Sequence, residues 1–209
     1  MNTPFYTLGI ETSCDETAVA VLKEETKLAA NLVYSQAKLH SRYGGVVPEV
    51  ASRDHLRKLP YLVREILEQA GISIGDVSLV AATYGPGLVG PLLVGLSHGK
   101  GLAFGLGVPF IGVNHLEGHI FAHRLNTPEM EPPFMALIVS GGHTILVVVK
   151  QYGRYQLVGS TVDDAAGEAL DKVGKLLGID YPAGAQLDRL AQEGNPKAIR
   201  FPRPMEGTP

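Results

Sequence analysis

The chain has 209 residues, 45% hydrophobic and 19% charged, with a formal net charge of −3, 25 glycines and one cysteine. That length buries a sizeable core in one or two domains, and the lone Cys14 excludes an internal disulfide and fits a reducing compartment. The acidic balance excludes a molecule-wide attraction to nucleic acid and leaves only local basic patches for that purpose.

Residues 5–12 read as a strand, Ser13-Cys14-Asp15-Glu16 as a polar turn, and residues 17–23 and 28–35 as two further strands. Apolar spacing predicts an amphipathic helix over 50–70, kinked or restarted at Pro60 and stopped by Gly71. A buried strand at 77–83 turns through Gly85-Pro86-Gly87 into a small-residue helix over 89–106, which suits either a core or a dimerisation surface. A strand at 108–113 leads into a short histidine-bearing helix. The stretch 85–113 is apolar and glycine-rich, but His98 and Lys100 interrupt it, and no signal peptide is visible. A soluble, cytoplasmic protein without a membrane span is expected. After a proline-rich linker at 126–133, strands at 134–140, 144–150 and 155–160 surround the turn Gly141-Gly142-His143. A helix over 165–177 follows, capped by Asp163 or Asp164 and stopped by Gly178. Strand, turn, threonine and strand thus occur twice, around Thr17 and around Thr144. The repeat suggests two related α/β domains, 1–130 and 131–209, facing each other across a cleft. Hairpin turns from both sides could then offer backbone N–H groups to phosphates.

The most informative residues are His115 and His119 in Asn114-His115-Leu116-Glu117-Gly118-His119. Four residues is one helical turn, so both imidazoles share a face. Ligation of a transition metal and a plain surface helix both fit that spacing. Asn114 suits an N-cap with Glu117 completing a capping box, and the positive helix end favours neutral, ligating rings. Gly118 costs about 1 kcal/mol against Ala inside a helix, which suggests a close approach there. Glu117 lies about 200° around the helix from either histidine and cannot serve a metal-bound water as a zincin glutamate does. His123 extends the stripe by a further turn and by spacing would be a third ligand. The run Ile138-Val139-Ser140-Gly141-Gly142 offers bare N–H groups to a phosphate or carboxylate, although a plain glycine hairpin fits as well. Asp15 and Glu16 could hold magnesium through water or orient a substrate, and a polar turn explains them nearly as well. Lys38, Arg42, Arg53, Arg57 and Lys58, with His40 and His55 nearby, suit either phosphate contact or a solvated helix face. No Cys–His pairing can be argued for Cys14.

Several segments together resemble the TsaD family of tRNA threonylcarbamoyladenosine transferases, once described as glycoproteases. They are Gly9-Ile10-Glu11-Thr12-Ser13-Cys14-Asp15-Glu16-Thr17, Tyr43-Gly44-Gly45-Val46-Val47-Pro48-Glu49, Ala51-Ser52-Arg53-Asp54-His55 and Gly85-Pro86-Gly87-Leu88-Val89-Gly90. The His115/His119 pair, Val139-Ser140-Gly141-Gly142-His143-Thr144 and Asp163-Asp164-Ala165-Ala166-Gly167-Glu168 complete the set. The resemblance runs from Leu8 to Met205. It implies an actin-like ATPase fold of two ribonuclease-H-like domains, the second incomplete here. It implies transfer of threonylcarbamoyl from threonylcarbamoyl-AMP to the adenosine beside the anticodon of tRNAs reading codons that begin with A. His115 and His119 are then ligands to iron or zinc, and His123 is structural. Ile138, Val139, Ser140, Gly141 and Gly142 meet the adenylate, and Asp171, Gly184 and Asp188 meet the nucleoside. In the mechanism so implied, the metal polarises the carbamoyl carbonyl, the adenine amine attacks and AMP leaves, with no nucleophilic side chain. The implied partners are tRNA and the TsaB and TsaE proteins. The family's chain continues past Phe201-Pro202-Arg203-Pro204-Met205 with a glycine-rich adenylate segment, an asparagine contact and an aspartate that completes the metal site. A non-catalytic binding module and an actin-fold small-molecule kinase are the alternatives.

Overall fold

A computed structural model describes residues 4–202; the Arg203-Pro204-Met205 end of the resemblance lies outside the described residues. Strands β1 (Tyr6–Glu11), β2 (Glu16–Lys23) and β3 (Lys27–Ser35) form an antiparallel meander, followed by a short helix α1 (Ala37–His40) and the long helix α2 (Pro48–Ala70). Strand β4 (Val77–Gly85) then pairs parallel to β1. Helix α3 (Val89–Leu106) returns the chain to β5 (Phe110–Asn114), parallel to β4, and the sheet order is β3-β2-β1-β4-β5. Strict alternation buries Leu8 and Ile10 on β1 and Val19 and Val21 on β2. These meet Leu59, Val63 and Ile66 of α2 and Ala103 of α3 in one core. Six buried side chains hold α2 in place, so it runs unbroken through the exposed Pro60, where the sequence predicted a kink or restart. The packing outweighs the roughly 3 kcal/mol that an interior proline costs. It also starts two residues before the predicted boundary, with Pro48 in its first turn.

Helix α3 lies tight on the sheet because its inner face is small. A Cβ on Gly95 would run into Thr12 Oγ1, and one on Gly99 would come within 3.1 Å of the Phe110 ring. Pro91, Leu92 and Ala103 are buried with these glycines, which makes that side core, while Val89, Leu93 and Phe104 face outward.

Helix α4 (His115–Phe121) leaves β5 directly and relaxes into a 3-10 turn at Ala122–Leu125. Strands β6 (Phe134–Val139), β7 (Thr144–Gln151) and β8 (Arg154–Ser160) form a second antiparallel meander in the order β6-β7-β8. Helix α5 (Ala166–Leu176) follows, then α6 (Gly184–Gln192), which the sequence reading missed together with α1. The second sheet repeats the β1-β2-β3 arrangement. A second apolar cluster joins Ile138 and Val149 to Ile120, with Leu116, Ile145 and Tyr155 packed against it. The histidine helix therefore continues the first sheet covalently but rests its apolar side on the second. A division at residue 130 separates it from its packing partner. Among the described residues no helix is long and apolar enough to cross a membrane.

The predicted Asp163 or Asp164 cap of α5 is not the one observed. Ala165 is the N-cap residue, and the Ala166 N–H donates to Thr144 Oγ1 at 2.9 Å, while Asp164 pairs with Lys172 at 2.6 Å. The hydroxyl of the neighbouring strand supplies the acceptor and frees the aspartate for the surface pair. Thr17 plays a related part in the first half, its Oγ1 lying 2.8 Å from His55 Nδ1 on α2. In both halves the threonine after the turn thus ties the hairpin to a helix later in the chain.

Candidate metal and nucleotide site

The site forms where β5 ends and α4 begins. Asn114 Oδ1 accepts the N–H groups of Leu116 and Glu117 at 2.9 and 3.3 Å, so the expected side-chain cap is present. Burial and then the nearby Glu117 carboxylate raise the pKa of Tyr155 on β8, so Glu117 lies toward the second sheet, on the face away from the histidines. His115 and His119 stand one turn apart with ring centroids 4.6 Å apart and planes at 80°. Their Nε2 atoms face each other at 3.2 Å. Two imidazole nitrogens ligated to one ion at the usual ~2.05 Å are that far apart when the angle at the ion is about 103°, close to tetrahedral. Two lone pairs this close need a proton or a cation between them, so the pair fits a divalent ion. Burial, then the neighbouring His115, pushes the His119 imidazole below its ordinary range and keeps it neutral.

On its far side, His115 Nδ1 lies 3.2 Å from Glu11 Oε2 and 3.3 Å from Ser13 Oγ. Glu11 also accepts the Thr83 hydroxyl and the Ser13 N–H. Burial pushes the Glu11 carboxyl upward, but these hydrogen bonds outweigh it and hold the group at about 2. Glu11 lies in one of the segments that carry the family resemblance, but nothing in its local sequence gives it a role at the site. An acid that ends a strand just before a polar turn is the signal that could have found it. His143, from the turn between β6 and β7, brings a third imidazole with its centroid 6.2 Å from that of His115. Burial, then His115, lowers its pKa. Among the described residues no three His, Cys, Asp or Glu side chains converge on one metal position. His123 faces elsewhere, with Nδ1 2.6 Å from the Ile120 carbonyl and Nε2 3.1 Å from that of Met130, as its structural reading expects.

Ile138 is buried and Val139 exposed at the end of β6. Ser140 closes the turn, its Oγ accepting the N–H groups of Gly142 and His143 at 3.3 and 3.0 Å. Of the donors expected to be bare, the Gly142 N–H is therefore spent inside the turn, and so is the Ser140 N–H, which donates to the His143 carbonyl at 2.8 Å. Gly141 and Gly142 nonetheless face open space, with nothing within 4 Å of a built Cβ. Helix α5 is driven against this turn. The Gly167 N–H donates to the Ser140 carbonyl at 3.1 Å, and a Cβ on Gly167 would lie 2.8 Å from that oxygen.

Asp171 is already engaged: its Oδ1 accepts the Ala183 N–H at 2.7 Å and so fixes the start of α6. Gly184 opens that helix, and Asp188 is exposed on it. Tyr181 links this region to the β1–β2 turn. Burial and then the charge of Asp15 raise its pKa. Cys14, in the same turn, is exposed as a residue, but partial desolvation of its thiol and then the charge of Asp15 push it up to about 12, which argues against a thiolate nucleophile. His40 and His55 do not belong to a basic surface, since both are fully buried. Arg53 pairs with Glu49, Arg42 lies over the Tyr43 ring and Lys58 over the Tyr34 ring.

The sequence profile of the family "TsaD: tRNA N6-adenosine threonylcarbamoyltransferase" matches residues 27–209. The chain belongs to the TsaD family. Proteins named tRNA N6-adenosine threonylcarbamoyltransferase from Clostridium perfringens and Desulfitobacterium hafniense are 53% and 54% identical to it, over 94% and 95% of this chain. The chain spans 58% of the length of each of these TsaD relatives. Component A of the (R)-2-hydroxyglutaryl-CoA dehydratase of Acidaminococcus fermentans superposes with a TM-score of 0.55 at 17% identity, covering 91% of this chain and 60% of that one. That likeness bears on the fold alone, which is the actin-like ATPase fold expected of a TsaD chain.

Proposed function

We propose that this chain carries the histidine and glycine-turn side of a tRNA N6-adenosine threonylcarbamoyltransferase, taking threonylcarbamoyl-AMP as donor and a tRNA adenosine as acceptor. The single observation behind the reading is the pair of Nε2 atoms 3.2 Å apart in a chain of the TsaD family. His115 and His119 would hold a divalent ion, iron first and zinc as the alternative, through those atoms. Such an ion supplies Lewis-acid charge for an oxygen that turns negative during acyl transfer.

The remaining work falls to the chain's own residues. The Ser140 turn, with its two glycines open to solvent, lets an adenylate approach the backbone near His143. Asp171, Gly184 and Asp188 lie on the α5–α6 side of the same region. The Asp171 oxygen not bonded to Ala183 is the one suited to a ribose hydroxyl. The exposed Lys38, Arg42, Arg53 and Arg57 and the half-buried Lys58 would meet tRNA phosphates, and the outward face of α3 would meet a protein partner such as TsaB; a role for TsaE is carried by the family likeness alone. Neither the kinase nor the non-catalytic alternative is favoured by the relatives found.

The test has two arms. Titrated with Co2+, the chain is expected to bind one equivalent with an absorption band of nitrogen ligation, and His115→Ala and His119→Ala are each expected to abolish it. In a protein that carries this chain within the family's full length, mass spectrometry of digested tRNA is expected to show threonylcarbamoyladenosine with the parent sequence and none with either variant. Parent-level product from both variants would defeat the reading.

A further inference from the structure

We infer that Glu11 is the positioning residue of His115: its carboxylate accepts a hydrogen bond from Nδ1–H, fixes the neutral ring in that tautomer and turns the Nε2 lone pair toward His119. The geometry supplies three reasons. The ring has two candidate partners at Nδ1, Glu11 Oε2 at 3.2 Å and Ser13 Oγ at 3.3 Å, and only the first fixes the tautomer, because a hydroxyl can donate or accept. A carboxylate only accepts, so it calls for Nδ1–H, whereas a donating serine hydroxyl would leave the proton on Nε2 and block that atom. The charged acceptor forms the stronger bond and prevails. Second, Glu11 cannot swing away to act as a ligand itself. Its oxygens are held by the Thr83 hydroxyl from β4 and by the Ser13 N–H from the first turn. Third, those two anchors belong to the sheet and its hairpin, so Glu11 transmits the rigid position of β1 and β4 to a ring on a seven-residue helix that has little stiffness of its own. A carboxylate behind a ligating imidazole also raises its basicity.

The consequence for metal affinity rests on the metal reading above, but the tautomer does not. The two are separated by one experiment on 15N-histidine-labelled chain at about pH 8, where free imidazoles are neutral. Long-range proton–nitrogen spectra of the metal-free chain are expected to show His115 protonated at Nδ1. In Glu11→Ala the proton is expected to move to Nε2, and in Glu11→Gln, whose amide oxygen still accepts, to stay on Nδ1. Titration with Zn2+ then reads affinity, expected to fall about 10- to 100-fold in Glu11→Ala and less in Glu11→Gln. A purely structural strand-end role would leave the tautomer unmoved. Should Glu11→Ala fail to fold, the parent spectrum still decides, because a parent ring protonated at Nε2 overturns the proposal. So does a folded Glu11→Ala chain that keeps Nδ1–H. If Zn2+ binds neither parent nor variant, the metal reading fails while the tautomer continues to report on Glu11.

Discussion

At the scale of single residues, the site depends on close approaches. Gly167 places the first turn of α5 directly on the glycine turn, and a methyl group there would sit 2.8 Å from the Ser140 carbonyl and 2.9 Å from the Gly141 nitrogen. Both are backbone atoms and cannot yield as a flexible side-chain end would. Gly167→Ala is therefore expected to lower stability by about 1–3 kcal/mol, read as a fall in the urea midpoint. Gly141→Ala faces open space and is expected to move that midpoint by much less. Among these residues the histidine pair was visible in the sequence because a four-residue spacing has one geometric meaning on a helix. Glu11 was not, because its partners His115 and Thr83 come from distant points of the chain.

At the scale of elements, two threonines connect hairpin to helix with different contacts. Thr144→Val removes the acceptor of the Ala166 N–H at a part-buried helix start and is expected to cost about 1 kcal/mol in chemical denaturation. Thr17→Val leaves His55 Nδ1 buried without its partner and is expected to cost more, about 1–3 kcal/mol. Strands and the α3 boundaries were readable because period-two alternation and a Gly107 in the left-handed region leave little choice. The unbroken passage of α2 through Pro60 was not readable, since the local rule for proline points the other way and only the buried Leu59, Val63 and Ile66 overrule it. The cap of α5 was misread for a similar reason: two aspartates precede the helix, yet the acceptor arrives from β7.

At the scale of the whole molecule, burial of neutral imidazoles sets an acid limit. Burial holds His55 and His98 below the ordinary imidazole range in the folded chain. The unfolded chain then takes up protons first as pH falls, so stability is full above about pH 6.5 and is lost as pH drops below it toward the folded values. Urea midpoints measured from pH 8 to pH 5 are expected to decline, and a His55→Asn chain is expected to decline less steeply. A flat profile in the parent would contradict the burial of these rings.

The sequence by itself determined the α/β class, the order of the main strands and helices, the doubled hairpin with its threonine, and a shared face for His115 and His119. Each of these follows from periodicity, turn chemistry or spacing within a few residues. Tertiary structure alone decided that Glu11 and Ser13 stand behind His115, that Asp171 is occupied by Ala183, that His40 and His55 are core, and that α4 rests on the second sheet. These contacts join residues far apart along the chain, or depend on which surfaces other elements cover. No local pattern encodes that information until the two sheets are packed together.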